Sequence, residues 1–370
     1  MPDPQSRGLA LSSRPVLALD LGGTQIRAAV IEPNGSRLAR VALETPSEEG
    51  PDAVVRACID ALERARSETS SATRAALAGI GLSSPGPVDP RAGVVVEPPN
   101  LGPRFSDVPL ADAVERALRL PTFLDRDTNV AALGEAAFGA GRGCADFLYI
   151  TVSTGVGGSI VSDGRLLHGP DGMAGELGHV PVDMDGPICG CGGRGHLEAV
   201  ASGRAIAREA RRAERAGESP FLTARAAGVG SDQLTAKDVA AGEEAGDAAS
   251  AAIMDRARRA FAAACVGFVS AFNPDRIIVG GSIAEHQGDR LLRPAREAIA
   301  REGFRRPASR VTIVGPELGP DVSLVGAYPL VVSRLGDPAW RRPAPATTAT
   351  LALPASDPSV TTVGARRPAR

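Results

Sequence analysis

Residues 16–31 read VLALDLGGTQIRAAVI, which is a short apolar strand, a Gly-Gly-Thr turn and a second apolar strand. Residues 147–162, FLYITVSTGVGGSIVS, repeat this arrangement with Thr-Gly at the turn. In both halves of the chain, helices and further strands follow the pair in alternation, as is typical of an α/β lobe. A glycine turn at the same point of two similar lobes predicts a cleft between them.

The predicted elements follow the same order in each half. In the first half, strands are predicted at Val16–Asp20, Ile26–Ile31 and Arg37–Glu44. They are followed by a helix at Asp52–Arg66, a strand at Leu77–Leu82, a helix at Leu110–Leu118 and a strand at Thr122–Leu124. In the second half, apolar periodicity predicts strands at Phe147–Ser153, Val156–Ser162, Arg276–Val279 and Val311–Val314. It predicts helices at Leu197–Arg215, Asp247–Phe272, Arg290–Arg301 and Leu324–Leu335.

These elements predict the domain boundaries. A small N-terminal lobe is expected over residues 15–125, and a C-terminal helix over 324–336 is expected to pack back onto it. The large lobe is expected over 126–323. Residues 1–14 and 338–370 lack helical or strand periodicity, and the second stretch is rich in Pro, Ala and Thr, so we expect both to be disordered.

Composition excludes several classes of function. The net charge of −2 provides no basic field for nucleic acid, and aromatic residues make up only 3% of the chain. Lys237 is the only lysine and lies in TAKD, so a P-loop and protein-kinase chemistry are excluded. No apolar run of about 18 residues predicts a membrane span, and residues 1–15 lack a secretory core. We therefore expect a cytoplasmic protein that contacts neither nucleic acid nor membrane.

Three glycine-rich turns are candidate phosphate contacts. Glycine lets the backbone approach a phosphate closely, and a threonine adds a hydroxyl donor. Two such hairpins facing one cleft indicate a clamp on a polyphosphate, with ordinary Gly-Gly hairpins as the alternative. The third turn, at a strand-to-helix junction, is either a contact to a nucleoside or a simple helix N-cap. The candidate residues for these phosphate and nucleoside contacts are Asp20, Gly22, Gly23, Thr24, Thr154, Gly155, Gly157, Gly280 and Gly281.

Four potential zinc ligands are clustered within 18 residues of a chain that is poor in histidine and cysteine. They are His179, Cys189, Cys191 and His196. Their number and type are those of a closed tetrahedral zinc site, which leaves no open position for catalytic water. We therefore expect a structural zinc ion. Glu176 and Glu198 flank this cluster, either as surface glutamates or as carboxylates that bind vicinal sugar hydroxyls, and Asn100 would add a polar contact from the opposite lobe.

Asp127 follows a predicted strand and begins the stretch DTNVAALGE at the joint between the lobes. In one interpretation, Asp127 or Asn129 caps the helix. In the other, Asp127 is the base that deprotonates an attacking hydroxyl.

The motifs LDLGGT, GLSSPGPVD, DTNVAALGE, ITVSTGVGG, AGELGHV, CGCGGRGHLEAVASG and NPDRIIVGGS together resemble the ROK family (repressor, ORF, kinase) of the actin, hexokinase and sugar kinase superfamily. The resemblance covers about residues 16–336. It implies two RNase H-like lobes of the actin/hexokinase ATPase type and ATP-dependent phosphorylation of a hexose, with Mg²⁺. The implied base is Asp127, and the implied sugar contacts are Gly86, Asn100, Glu176, His179 and Glu198.

Two positions depart from the pattern of that family. Arg126 replaces an asparagine that contacts the sugar, and His196 replaces the usual fourth cysteine ligand. Arg126 is expected either beside the sugar or paired with Asp125 or Glu135, so the identity of the sugar stays open.

The resemblance favours a glucokinase that makes glucose 6-phosphate. Another hexose kinase, or an N-acetylhexosamine kinase such as one for N-acetylmannosamine, is the alternative. A sugar-sensing regulator without catalysis is a third possibility, although residues 1–15 are too few for a helix-turn-helix. A homodimer or higher homo-oligomer is expected from the resemblance.

Overall fold

The computed structural model of the protein describes residues 13–98, 100–102 and 104–337. In the first third of the chain, five strands form a sheet in the order β3-β2-β1-β4-β7, and two short strands form a separate hairpin. Strand β1 pairs antiparallel with β2 and parallel with β4. The strands are β1 (Val16–Leu21), β2 (Gln25–Ile31), β3 (Arg37–Glu44), β4 (Ile80–Ser84), β5 (Val88–Asp89), β6 (Val94–Val95) and β7 (Thr122–Arg126).

The second sheet has the same topology as the first. Its order is β10-β9-β8-β11-β12, with β8 antiparallel to β9 and parallel to β11. The repeated glycine-turn sequences 16–31 and 147–162 therefore occupy equivalent central hairpins. The strands are β8 (Phe147–Val152), β9 (Val156–Ser162), β10 (Arg165–Leu166), β11 (Arg276–Gly280) and β12 (Thr312–Val314).

The helices cover both faces of each sheet. They are α1 (Pro51–Ser67), α2 (Ser71–Ala76), α3 (Leu110–Leu118), α4 (Asp127–Phe138), α5 (Leu197–Ala201), α6 (Gly203–Arg215), α7 (Pro220–Val229), α8 (Ala236–Glu244), α9 (Ala248–Phe272), α10 (Ser282–Gln287), α11 (Asp289–Glu302), α12 (Arg305–Arg310) and α13 (Val322–Gly336). Helix α1 buries Val54, Cys58 and Leu62, at helical spacing, in the core of the first sheet. Helices α9 and α11 pack together in the core of the second sheet.

Helices α4 and α13 lie between the two sheets. Helix α13 packs on α4 and on strands β1 and β4, whereas α4 also contacts β8 and β9. The two helices cross at Gly134 and Gly326, where a Cβ on Gly134 would lie 2.9 Å from the carbonyl oxygen of Val322. This close crossing brings the start of α4 to the boundary between the two sheets.

Some elements differ from the sequence-based predictions. The single helix predicted over Leu197–Arg215 is interrupted at Ser202, whose backbone is extended and whose hydroxyl accepts the Ala205 N–H to cap α6. Arg14, predicted to be disordered, donates to the carbonyls of Ala76 and Leu77. Residues 1–12 and 338–370 lie outside the described residues.

Candidate active site

A cavity of about 580 Å³ lies between the two sheets and brings most of the predicted site residues together. Prolines 85 and 87, Thr128, Thr151, Ser153, Val156 and Met173 complete its lining. The predicted residues that line it are Gly86, Asn100, Arg126, Asp127, Thr154, Gly155, Gly157, Glu176, His179, Cys191 and Glu198. Residues predicted to bind sugar and residues predicted to bind phosphate therefore share one space.

Asp127 lies at the floor of this cavity because β7 ends at Arg126 and α4 begins at the next residue. Its Oδ1 accepts the N–H of Thr128 at 2.7 Å, and no described side chain donates to its Oδ2. Asn129 does not cap the helix, since its Nδ2 donates to Asp125 and its Oδ1 accepts from Ser159. Asp127 is the first residue of α4 and does not cap it, since no side-chain cap hydrogen bond is present at this helix start. One of its carboxylate oxygens accepts the Thr128 N–H, and the other is left for the cavity.

The surroundings of Asp127 favour its protonated form more than water does. Burial raises its pKa to about 6, and the carboxylates of Asp20 and Glu176 act in the same direction. The Thr128 N–H and the Arg126 guanidinium oppose this shift. A carboxyl group with this pKa is ionised at neutral pH and is still basic enough to accept a proton, as a general base requires.

A second cavity, of about 200 Å³, meets the first at Asp127, Thr128 and Thr151. Its lining includes Gly281, one of the residues predicted to bind ATP, and residues 319, 320, 322 and 323 at the start of α13. A Cβ on Gly281, whose φ is +94°, would lie 2.6 Å from Thr151 Oγ1. Only glycine allows this junction to approach the β8 strand so closely.

Arg126 forms an ion pair with Glu176 and donates from NH2 to the carbonyls of Gly158 and Ala174, at 2.8 and 3.0 Å. Its guanidinium pairs with neither Asp125 nor Glu135, so the side-chain pairing that the sequence suggested as an alternative is wrong. Its side chain is only 7% exposed, and its Nε has no hydrogen-bond partner in the described structure. Most of its donors are therefore already committed to the protein rather than open to a sugar.

Glu198, one of the predicted sugar-binding residues, connects the cavity to the β8–β9 hairpin. Its Oε2 accepts the N–H of Val156 at 2.9 Å, and a Cβ on Gly155 would lie 2.6 Å from the same oxygen. The hairpin is fixed further because the N–H groups of Gly203 and Arg204 donate to the carbonyls of Ser153 and Thr154. This hairpin and Glu198 consequently form one rigid unit.

The first hairpin, β1–β2, belongs to the first sheet and does not line the cavity. A Cβ on Gly23 would lie 2.7 Å from the carbonyl oxygen of Asn100, whose side chain accepts from Arg204 across the cleft at 3.1 Å. Asp20 accepts from Ser83 Oγ at 2.7 Å and pairs with Arg27 at 2.6 Å. Gly22, Thr24 and Gly280 are also absent from the linings of both cavities in the described structure.

The four predicted zinc ligands are brought together beside the cavity. One donor atom from each of His179, Cys189, Cys191 and His196 lies within 4.8 Å of the others. His179 Nδ1 is 3.6 Å from Cys189 Sγ, and His196 Nδ1 is 3.2 Å from Cys191 Sγ. A tetrahedral zinc ion separates sulfur and nitrogen ligands by roughly 3.6 Å, and these two distances are close to that value. His179 Nε2 lies 3.8 Å from Glu176 Oε2.

A comparison with known protein families identifies the family of this chain. The sequence model of the ROK family matches residues 16–334. The chain belongs to the ROK family.

Curated ROK relatives are similar over most of the chain. The glucokinase of Halalkalibacterium halodurans is 36% identical over 324 residues, which are 87% of this chain and 96% of that protein. The N-acetylmannosamine kinase of Shigella flexneri is 40% identical over 219 residues, 59% of this chain and 71% of that protein.

Solved ROK structures share the two-lobed α/β fold, which confirms the fold class predicted from the sequence. The ROK hexokinase of Thermus thermophilus superposes with a TM-score of 0.72 at 34% identity and covers 87% of this chain and 98% of its own. A ROK glucokinase of Streptomyces griseus, in complex with glucose and AMPPNP, gives a TM-score of 0.68 at 32% identity, with coverages of 85% and 98%. None of the helices in the described part of the chain is both long and apolar enough to cross a membrane.

Sequence reasoning missed several residues of this ROK site. Thr128 and Thr151 line both cavities, and Tyr149 and Glu285 line the second. Thr128 directly follows Asp127, and Thr151 lies in β8 three residues before Thr154, so proximity in sequence was a usable signal. Tyr149 carried no such signal, because its place depends on how β8 packs against α4.

Proposed function

We propose that the protein transfers the γ-phosphoryl group of ATP to a hexose, and that the expected reaction is glucose to glucose 6-phosphate. The single observation that carries the proposal is the position of Asp127, where the cavity with the sugar-binding candidates meets the cavity that contains Gly281. Glucokinase relatives that align along nearly their whole length support the same reaction.

Asp127 acts as the general base in this proposal. Its free oxygen accepts the proton of the attacking sugar hydroxyl while the hydroxyl oxygen bonds to the γ-phosphorus. The bond between that phosphorus and the β,γ-bridging oxygen breaks, and the electron pair leaves with ADP. With a pKa of about 6, Asp127 is largely ionised at pH 7.5 and ready to accept this proton.

Phosphate binding is assigned to backbone groups rather than to lysine. The β8–β9 hairpin, held by Glu198 and by the start of α6, presents Thr154 and Gly155 to the cavity. The β1–β2 hairpin with Asp20, Gly22, Gly23 and Thr24 is proposed to close on the phosphates from the other lobe. Mg²⁺ bound with ATP would neutralise charge that builds up during transfer.

A structural zinc ion is proposed at His179, Cys189, Cys191 and His196, a proposal supported by donor atoms that lie within 4.8 Å of one another. His179 would bind it through Nδ1, because that nitrogen faces Cys189 Sγ. Its Nε2, near Glu176, would then be available to a sugar hydroxyl. Zinc in this position would hold Glu176, His179 and Glu198 in one orientation.

An N-acetylhexosamine is the second candidate substrate. The N-acetylmannosamine kinase relative is similar over more than half of this chain. Arg126 stands where the family resemblance expects an asparagine, and it occupies the space beside Gly86, since a Cβ there would lie 2.9 Å from Arg126 Cδ. At Arg126, the proposed sugar pocket of this chain therefore differs from that of family members that carry the expected asparagine.

The proposal is tested with Asp127→Asn and a panel of sugars in an assay for ADP formation. The variant keeps size and can still accept the Thr128 N–H, so kcat should fall at least about a hundredfold while sugar binding is kept. Ionised Asp127 is unfavourable for the fold above its raised pKa, so the variant should be no less stable at pH 7.5. Normal kcat per folded molecule would limit Asp127 to a structural role. Wild-type protein that binds sugar without forming ADP would favour a sugar-sensing regulator.

The lobe boundaries, location and assembly remain predictions. We propose a small lobe over 15–125 with helix 324–336, a large lobe over 126–323, a cytoplasmic location and a homodimer or larger homo-oligomer. Light scattering of the purified protein would measure the oligomeric state directly.

A further inference from the structure

Asp125 is a fully buried carboxylate, two residues before the proposed base, that the reaction does not use. Its Oδ2 accepts from His168 Nε2 at 2.8 Å and pairs with the guanidinium of Arg334. Its Oδ1 accepts from Asn129 Nδ2 and from the Arg126 N–H, both at 2.8 Å. Burial alone would raise its pKa, but Arg334, His168 and Asn129 lower it to about 2, so the carboxylate is ionised.

The partners of Asp125 come from distant parts of the chain. Arg334 is in the last turn of α13, and its Nη1 donates to the carbonyl of Pro90 at 3.3 Å. His168 begins a segment without helix or strand, residues 168–176, that follows β10 and ends at Glu176. The Ala174 N–H donates to the His168 carbonyl at 3.0 Å and closes this segment into a loop.

Two consecutive residues of β7 hold both ends of that loop. Asp125 binds its first residue, His168, and Arg126 binds its last residues through the carbonyl of Ala174 and the carboxylate of Glu176. Between these ends, Gly169 and Gly172 have φ values of +69° and +74°, and Met173 is 49% exposed. The loop has few internal restraints, so its conformation depends on the attachment of its ends.

We propose that Asp125, His168 and Arg334 form a clamp that positions loop 168–176, and with it Glu176, for the acceptor sugar. His168 and Arg334 are positioning residues in this proposal, since neither lines the cavity. The proposal rests on the proposed function in taking a hexose as the ligand. If the clamp is lost, sugar binding must also order the loop, which costs conformational entropy.

Variants of the clamp should separate sugar affinity from catalysis. In His168→Leu, which removes one hydrogen bond to a charged group, the sugar KM and the sugar Kd from calorimetry should rise about tenfold or more. The ATP KM and kcat should change by less than about twofold. Amide hydrogen exchange in the free protein should become faster in residues 168–176 and stay unchanged in 147–162.

Arg334 gives a second, independent test. Arg334→Met leaves the buried charge of Asp125 without its guanidinium partner and is at risk of unfolding, whereas Arg334→Met with Asp125→Asn removes both charges and is expected to fold. Compared with Arg334→Met, Arg334→Lys should restore part of the sugar affinity. The matched control is Arg258→Met with Glu243→Gln, since this pair is also largely buried, at 13% and 16% exposure, but joins α8 to α9. It should lower thermal stability without changing sugar affinity.

Folded clamp variants with unchanged sugar Kd and unchanged exchange in 168–176 would overturn the proposal. The exchange measurement needs neither ATP nor turnover. If wild-type protein forms no ADP with any sugar, the proposed function fails, and the exchange data on the free protein still decide whether the clamp holds the loop.

Discussion

Three charged side chains determine the chemistry at the floor of the cleft. Asp127 is the proposed base, Glu176 raises its pKa, and Arg126 lowers it while pairing with Glu176. Because Arg126 neutralises Glu176, the cavity holds two carboxylates close together without leaving both charges uncompensated. A substitution at any of these positions should therefore change the titration of the base as well as sugar binding.

The pH dependence of catalysis should follow the raised pKa of Asp127. Below its pKa of about 6 the carboxyl group is protonated and accepts no proton, so kcat should fall about tenfold per pH unit on the acid side. Glu176→Gln removes a negative neighbour and should move this limb to lower pH. Steady-state kinetics between pH 4.5 and 8 would measure it. A profile that stays flat to pH 4.5 would contradict the role of Asp127 as base.

Arg126→Asn should change which sugars the enzyme prefers. Asparagine is shorter and neutral, so the ion pair with Glu176 is lost and space opens beside Gly86. The order of kcat/KM over a panel of hexoses and N-acetylhexosamines should shift more than the ATP KM. Arg142→Asn is the control, because its ion pair with Glu317 is exposed and far more weakly held. An unchanged order would show that Arg126 does not influence specificity.

Among the secondary-structure elements, direct junctions position the site. No residue separates β7 from α4, so the strand delivers Asp127 to the cleft at a helix start. Ser202 interrupts the predicted long helix, and the short helix α5 that results carries Glu198 at its beginning. The segment that holds the four zinc-ligand candidates ends directly at α5, since His196 precedes its first residue. The position of His196 is thereby connected to the orientation of Glu198.

Removing one zinc ligand should damage sugar binding as well as stability. Cys191→Ser should lose the metal, about one ion per chain in the wild type, because serine is a poor zinc ligand. The sugar KM should then rise, since His179 and Glu198 lose their fixed positions. Metal analysis and kinetics of the purified protein test this. Cys144→Ser, outside the cluster, is the control. Full activity of metal-free protein would refute a structural zinc ion.

Across the entire protein, α4 and α13 unite the two sheets. Helix α13 is the last helix of the described residues but packs against β1, their first strand, and Leu324, Leu330 and Val331 are completely buried there. This arrangement makes the first sheet dependent on α13. It also carries Arg334 to the clamp on loop 168–176.

Leu330→Ala should therefore destabilise the whole protein. The side chain has no exposed surface, so its truncation should lower the free energy of unfolding by about 2–5 kcal/mol. Thermal unfolding should remain a single transition, because α13 and α4 are shared by both sheets. Leu38→Ala is the control, since Leu38 is 45% exposed and should have little effect. Two separate transitions would show that the lobes unfold independently.

Local sequence was sufficient for much of the fold. The repeated apolar strands with glycine turns predicted two equivalent central hairpins, and both sheets have the same strand order. The clustering of His179, Cys189, Cys191 and His196 predicted a compact ligand set, which the structure has. These features depend on neighbours in sequence, where periodicity and spacing are direct signals.

Contacts between distant residues could not be predicted in this way. The partner of Arg126 is Glu176, 50 residues away, and the partner of Asp125 is Arg334, 209 residues away. The sequence suggested Asp125 or Glu135 as the partner of Arg126, and both are close to it in the chain. The packing of β7, loop 168–176 and α13 determines which charges pair. A buried charge without a partner costs too much free energy, so each buried charge pairs with the partner that the tertiary structure brings within reach.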